Sequence, residues 1–191
     1  MITHLNGKLV EKNPTNIVVE CNGLGYEVKI SLNTFSLLSA SESVFIYTQF
    51  IVREDAQILY GFFQKEEREM FNHLISVSGI GPNTAMIMLS SLTSDEIAAA
   101  ILSDDVKTIQ SIKGIGPKTA QRAIIDLKDK MLKMNFEEGN VISNNNTNRF
   151  DALTALVSLG FDKKAVDKAL HKIATGEESV EKLIKEALKI L

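Results

Sequence analysis

Tryptophan is absent from this chain, tyrosine, histidine and proline occur three times each, and cysteine occurs once. Each shortage removes a class of function. A single cysteine cannot form an internal disulfide, which suits a reducing cytosol. Cys21 ends an apolar, strand-like run, so its thiol reads as a buried structural group rather than a nucleophile. His4, His73 and His171 are scattered and no Cys/His pair has metal-ligand spacing, so no metal and no other cofactor is expected. No Gly-x-x-x-x-Gly-Lys-Ser/Thr loop occurs, and ATP hydrolysis by this chain is not expected. With so few large aromatics, no platform for stacking bases is evident. No apolar run is long enough to span a bilayer, and Met1–Asn6 lacks the basic-then-apolar order of a secretory signal. A cytoplasmic location without a membrane partner is therefore expected.

Two of the three prolines stand in the same short motif. Gly79-Ile80-Gly81-Pro82-Asn83-Thr84-Ala85 recurs 35 residues later as Gly114-Ile115-Gly116-Pro117-Lys118-Thr119-Ala120. The match extends upstream, where Leu74, Ser76 and Val77 correspond to Ile109, Ser111 and Ile112, and downstream, where Leu89 corresponds to Ile124. Each copy reads as a short helix, a tight glycine turn and a second helix. Glycine supplies the backbone freedom of the turn, and proline suits the first turn of a helix, where its missing N–H has no partner to lose. The remaining amides at such a helix N-terminus attract a phosphate. They read backbone rather than base sequence. A dinucleotide-binding fingerprint would need a preceding strand, and the segments before both turns look helical. The paired copies point to two helix-hairpin-helix elements that bind nucleic-acid backbone through Gly79, Ile80, Gly81, Asn83 and Thr84, and through Gly114, Ile115, Gly116, Lys118, Thr119 and Arg122.

Acidic residues outnumber basic ones over the whole chain, 24 to 21, which taken alone disfavours nucleic acid. The distribution reverses that. Residues 106–133 carry Lys107, Lys113, Lys118, Arg122, Lys128, Lys130 and Lys133 against Asp126 and Asp129. A basic zone centred on the second glycine turn is the electrostatic footprint of phosphate contact. Lys118 and Arg122, four apart, share one helix face.

Read in order, the chain is an α+β multidomain protein. Residues 1–63 hold five short strand-like segments punctuated by Asn13-Pro14, Asn22-Gly23, Ser39–Ser43 and Glu54-Asp55. Tyr26, Val28 and Ile30 alternate with charged residues as in a half-buried strand. Five strands in so short a span predict a five-stranded OB-fold β-barrel. Glu54-Asp55 lies at a hairpin tip, as a polar turn or as a negative point that repels phosphates. Residues 64–133 form a helical domain with the two hairpins. Residues 134–148, polar and rich in Asn, with Gly139, predict a flexible linker. Residues 149–191 carry three apolar stripes ended by Gly160, by Gly176 and by the last residues, which predict a three-helix (UBA-like) bundle.

In this order, the barrel with Gly23-Leu24-Gly25-Tyr26-Glu27-Val28, the run Val52-Arg53-Glu54-Asp55-Ala56-Gln57, Leu59-Tyr60-Gly61-Phe62, both Gly-Ile-Gly-Pro hairpins and the terminal bundle resemble the RuvA family over the whole chain. RuvA proteins are the Holliday-junction-binding subunits of the bacterial RuvAB branch-migration complex. The resemblance implies a non-catalytic, cytoplasmic subunit of recombination and DNA repair, including the SOS response to DNA damage. It implies a homotetramer, or an octamer on DNA, whose fourfold symmetry matches the four arms of the junction. It makes Glu54 and Asp55 the acidic pin at the tetramer centre. It makes the terminal bundle the part that contacts RuvB, the hexameric ATPase motor, with the RuvC resolvase as a further candidate partner. Asn83 departs from the family, which commonly has a basic residue there. The competing expectations are a glycosylase or nuclease built on the same hairpins, and an adaptor that binds plain duplex. Asp126 or Lys128 would have to serve the glycosylase, and Glu54-Asp55 alone are too few carboxylates for a metal-dependent nuclease.

Overall fold

Alternation in the first 63 residues builds β1 (His4–Lys12), β2 (Asn16–Cys21), β3 (Leu24–Ile30), β4 (Ser43–Val52) and β5 (Gln57–Phe62). They close into a barrel in the order β1-β2-β3-β5-β4, with β4 returning to β1. Only β3 and β5 pair in parallel; the other four pairs are antiparallel. This is the five-stranded OB-fold barrel that the strand count predicts. Its inside is filled by Leu5, Ile17, Val19, Val28, Ile30, Ile46 and Leu59. Cys21 is half-buried rather than buried, and its thiol donates to the Asn6 carbonyl (3.4 Å).

The computed structural model describes residues 1–39, 42–139, 144–173 and 179–190, in two units, Met1–Met134 and Asn135–Leu191. The first unit joins the barrel, with its own core, to the helical region, and the end of β5 reaches into the helical core. Tyr60 and Phe62 of β5 lie with Met70, Phe71 and Leu74 in one cluster, and both rings pack on Phe71 at 5.1 and 5.0 Å between centroids.

A short helix that the strand reading lacks, α1 (Leu32–Leu37), ties the same joint. Ser31 caps it by accepting the Thr34 N–H (2.9 Å). The helical region that follows comprises α2 (Lys65–Ile75), α3 (Pro82–Ser91), α4 (Ser94–Leu102), α5 (Val106–Gln110) and α6 (Pro117–Gly139). Asn33 of α1 donates to the carbonyls of Leu89 (2.7 Å) and Leu92 (3.0 Å), so the barrel caps the C-terminal end of α3. Glu67 of α2 is buried, and its carboxylate accepts hydrogen bonds from the hydroxyls of Ser31 and Thr34. The Thr34 hydroxyl in turn accepts the Phe63 N–H (3.0 Å). Every buried side-chain polar atom of this knot has a partner, which is the condition for burying a carboxylate.

The expected linker differs from the structure. Residues 134–139 end α6 and residues 144–148 open α7 (Asn144–Ser158); residues 140–143 lie outside the described residues. Polarity suggested a linker, but no Gly or Pro interrupts the chain between Lys118 and Glu138, and polarity alone does not stop a helix. The second unit is the three-helix bundle of α7, α8 (Lys163–Ile173) and α9 (Val180–Ala187). Ala152, Leu156, Val166, Ala169, Leu170, Leu183 and Ala187 form its core. Val157 is exposed, and Ala152 lies in the core. Gly176 and Leu191 lie outside the described residues.

Candidate nucleic-acid interface

The repeated motif folds the same way twice. Helix α2 enters the first glycine turn and α3 leaves it; α5 enters the second and α6 leaves it. Gly79 and Gly114 sit at φ of +98° and +94°, angles that side chains rarely adopt. Even the serines match: Ser76 Oγ donates to the His73 carbonyl and Ser111 Oγ to the Thr108 carbonyl, each at 2.7 Å.

Ile80 and Ile115 have a different role from the one expected. Their side chains are buried, and their amides donate to Val77 (3.0 Å) and Ile112 (3.1 Å) within the turn. An amide already bonded inside the turn is not free for phosphate. These two residues hold the turns to the core.

The open donors lie one step further on. The first bonds of the outgoing helices run from Ala85 N–H to the Gly81 carbonyl and from Ala120 N–H to the Gly116 carbonyl, both 2.9 Å. The amides of Gly81, Asn83 and Thr84, and of Gly116, Lys118 and Thr119, precede them and have no intrahelical acceptor. Pro82 and Pro117 contribute no N–H. Glycine at the cap position has no side chain to satisfy these donors, whereas Thr93 and Asp105 cap α4 and α5 with their own oxygens. Two uncapped helix N-termini beside two capped ones are suited to an external anion. Gly81 and Gly116 are exposed, and a Cβ on either would meet nothing within 4 Å, so a ligand backbone can come close there. Thr84 and Thr119 are half-buried, and each methyl leans over the glycine of the opposite turn.

Charge breaks the symmetry of the pair. Ser78, Asn83 and Ile87 in the first copy correspond to Lys113, Lys118 and Arg122 in the second, all six exposed. At these three positions the second hairpin carries three cations where the first carries none. Lys113 is missing from the expected phosphate site, although the 35-residue offset locates it beside Gly114. The wider basic zone is thinner than it reads, because Lys128 pairs with Asp104; Lys130 keeps its charge and donates to Ser76 Oγ (3.1 Å) in the first turn. Asn83 is held from the barrel, where the buried Tyr60 donates its hydroxyl to Asn83 Oδ1 (3.4 Å). Burial raises the Tyr60 pKa above its ordinary value, and the positive charge of Arg53 opposes that rise.

Glu54 and Asp55 are exposed at the tip of the β4–β5 turn, which the Arg53 N–H closes by donating to the Ala56 carbonyl (2.8 Å). They belong to the barrel and to neither glycine turn.

Comparison with known proteins covers the same parts. Residues 1–61 match the family model for the RuvA N terminal domain, residues 71–129 that for a SAM-like helix-hairpin-helix tandem, and residues 147–191 that for the RuvA C-terminal domain. The chain is 54% identical over 193 residues to the Holliday junction branch migration complex subunit RuvA of Christiangramia forsetii, covering all of both chains. It is 53% identical over the full length of the same subunit from Flavobacterium psychrophilum. It is 41% identical to that of Neisseria gonorrhoeae, covering 99% of this chain and 100% of the other.

Proposed function

The chain belongs to the RuvA family, and on that premise we propose that it is the structure-specific DNA-binding subunit that recognises Holliday junctions in a branch migration complex. Its work lies in homologous recombination and DNA repair. The observation that carries this reading is the pair of uncapped, glycine-led helix N-termini, whose open amides suit two phosphates of one DNA arm. Such a site grips duplex without reading its sequence, as branch migration through arbitrary sequence requires.

The remaining parts divide the work. Four copies, one for each arm, form a homotetramer, and a second tetramer on the opposite face of the junction gives an octamer. The tips bearing Glu54 and Asp55 meet at the centre, where their charge keeps phosphates apart and holds the crossover open. The subunit catalyses no reaction itself. The hexameric motor RuvB supplies ATP hydrolysis and docks on the terminal bundle, whose α7–α8 turn exposes Leu159 and Phe161. The RuvC resolvase acts on the junction so held, and the complex works in the cytoplasm.

The test is a gel-shift titration of the full chain with a synthetic four-way junction and with linear duplex of the same sequence, at one fixed salt concentration. Discrete complexes and strong preference for the junction are expected. Equal binding to both would reduce the hairpins to general backbone clamps and overturn the junction-specific role. Base release or strand cleavage in the same reactions would place the chain among the enzymes instead.

A further inference from the structure

The first hairpin has no cation at the positions that match Lys113, Lys118 and Arg122, and a barrel cation stands next to the strand face that packs on the same helical core. Gln49 and Ile51 alternate onto one face of β4, and Arg53, the first residue past the strand's end, follows at the same spacing. The register pairs Gln49 with Tyr60 and Ile51 with Ile58, so this is the face that carries Tyr60. Ile51, Ile58 and Tyr60 on that face pack against the helical core. Arg53 continues the row beyond Ile51, is exposed, and forms no ion pair among the described residues. Its charge reaches the Tyr60 hydroxyl, and that hydroxyl bonds to Asn83 in the first turn. Tyr60 thus ties this strand face to Asn83, whose amide is open with those of Gly81 and Thr84, and Arg53 stands at the end of the same row.

We propose that Arg53 is a phosphate ligand of the first hairpin, supplying from the barrel the positive charge that Ser78, Asn83 and Ile87 do not. This inference rests on the junction-binding role proposed above. A guanidinium suits the task, since it stays charged and grips phosphate oxygens with two donors at once. The arrangement also gives the β4–β5 turn a charge gradient. Arg53 attracts a phosphate on the side of the helical region, while Glu54 and Asp55, the next two residues, repel one at the tip. A strand passing this turn is held at the hairpin and turned away at the crossover.

The experiment measures junction affinity of the full chain against salt concentration for wild type, Arg53→Gln, Arg53→Lys and Tyr60→Phe, with thermal melting of each. A phosphate that the protein no longer neutralises keeps its counterions when the complex forms. Arg53→Gln is therefore expected to bind about tenfold more weakly at low salt and to flatten the slope of log affinity against log salt by about one per bound protomer. Arg53→Lys recovers most of the slope, because slope counts charge. Tyr60→Phe keeps the wild-type slope, because Arg53 remains. An unchanged slope in Arg53→Gln, with wild type still preferring the junction, would overturn this inference alone. Loss of junction preference in wild type would overturn the functional reading beneath it. A slope reduced equally in Tyr60→Phe would assign Arg53 a structural role and also overturn the inference.

Discussion

Thr119 closes over Gly79: a Cβ built on Gly79 would lie 3.3 Å from Thr119 Oγ1 and 3.4 Å from its Cγ2. The reciprocal approach is looser, since a Cβ on Gly114 would lie 4.0 Å from Thr84 Cγ2. The two hairpins therefore support each other across a pseudo-twofold relation, and one side of that relation is tighter. Both glycines also need positive φ. Gly79→Ala therefore combines backbone strain with crowding and should cost about 1–3 kcal/mol of stability, and Gly114→Ala should cost less. Urea denaturation of the two variants measures the difference. Equal losses would mean that Thr119 yields freely.

Gly81 and Gly116 should behave in the opposite way. Gly81 has a φ of −87°, and open space surrounds the Cβ position of both residues. Gly81→Ala and Gly116→Ala should change stability by less than about 1 kcal/mol. Junction binding should nevertheless fall, because the added methyl stands where a phosphate backbone approaches the amides. Melting and gel-shift titration of the same preparations separate the two effects. Wild-type binding in both variants would show that the phosphates do not approach there.

The unequal charge of the hairpins gives a third expectation. Lys118→Ala removes an exposed cation from the second hairpin, whereas Asn83→Ala removes a neutral side chain that Tyr60 already engages. Lys118→Ala should weaken junction binding more and flatten its salt dependence, and Asn83→Ala should leave that dependence unchanged. Lys113→Gln and Arg122→Gln should resemble Lys118→Ala. Titrations at several salt concentrations decide this, and equal losses for Lys118→Ala and Asn83→Ala would contradict it.

Much of this architecture is legible in the sequence because its signals are local. Val28 and Ile30 alternate with charged neighbours and are buried as alternation requires. The glycine turns repeat their flanks, so both hairpins can be found without coordinates. What escapes notice depends on partners distant in sequence. Helix α1 is six residues long and too short for a helical period to show; Asn33 and Ser31 hold it against α3 and α2. The loss of Lys128 from the basic zone depends on Asp104, 24 residues earlier. Ile80 and Ile115 read as part of a phosphate loop until burial shows that they anchor it. The 35-residue offset aligns Ser78 with Lys113, but that pairing has meaning only once both turns prove to be exposed.

The buried knot at Glu67 makes the joint between barrel and helices sensitive to pH. Burial raises the carboxyl above its ordinary value of 4.5, and the hydroxyls of Ser31 and Thr34 draw it part of the way back. The native state thus holds a proton that the unfolded chain releases between 4.5 and the raised value. Stability from this group is complete below the unfolded value and is lost as pH rises through the folded one. Glu67→Gln cannot titrate, so the stability of wild type minus that of Glu67→Gln should fall as pH rises from about 4.5 and then level off. Urea midpoints for both proteins across this range measure the difference. A difference that rises with pH would show that the hydroxyls outweigh burial and hold the carboxylate as an ion. Thr34→Val provides an independent check. It removes one donor to Glu67 and the acceptor of the Phe63 N–H, so it should cost about 1–3 kcal/mol. That loss should be larger above the Glu67 titration than below it, because an ionised carboxylate suffers more from a missing donor than a neutral one.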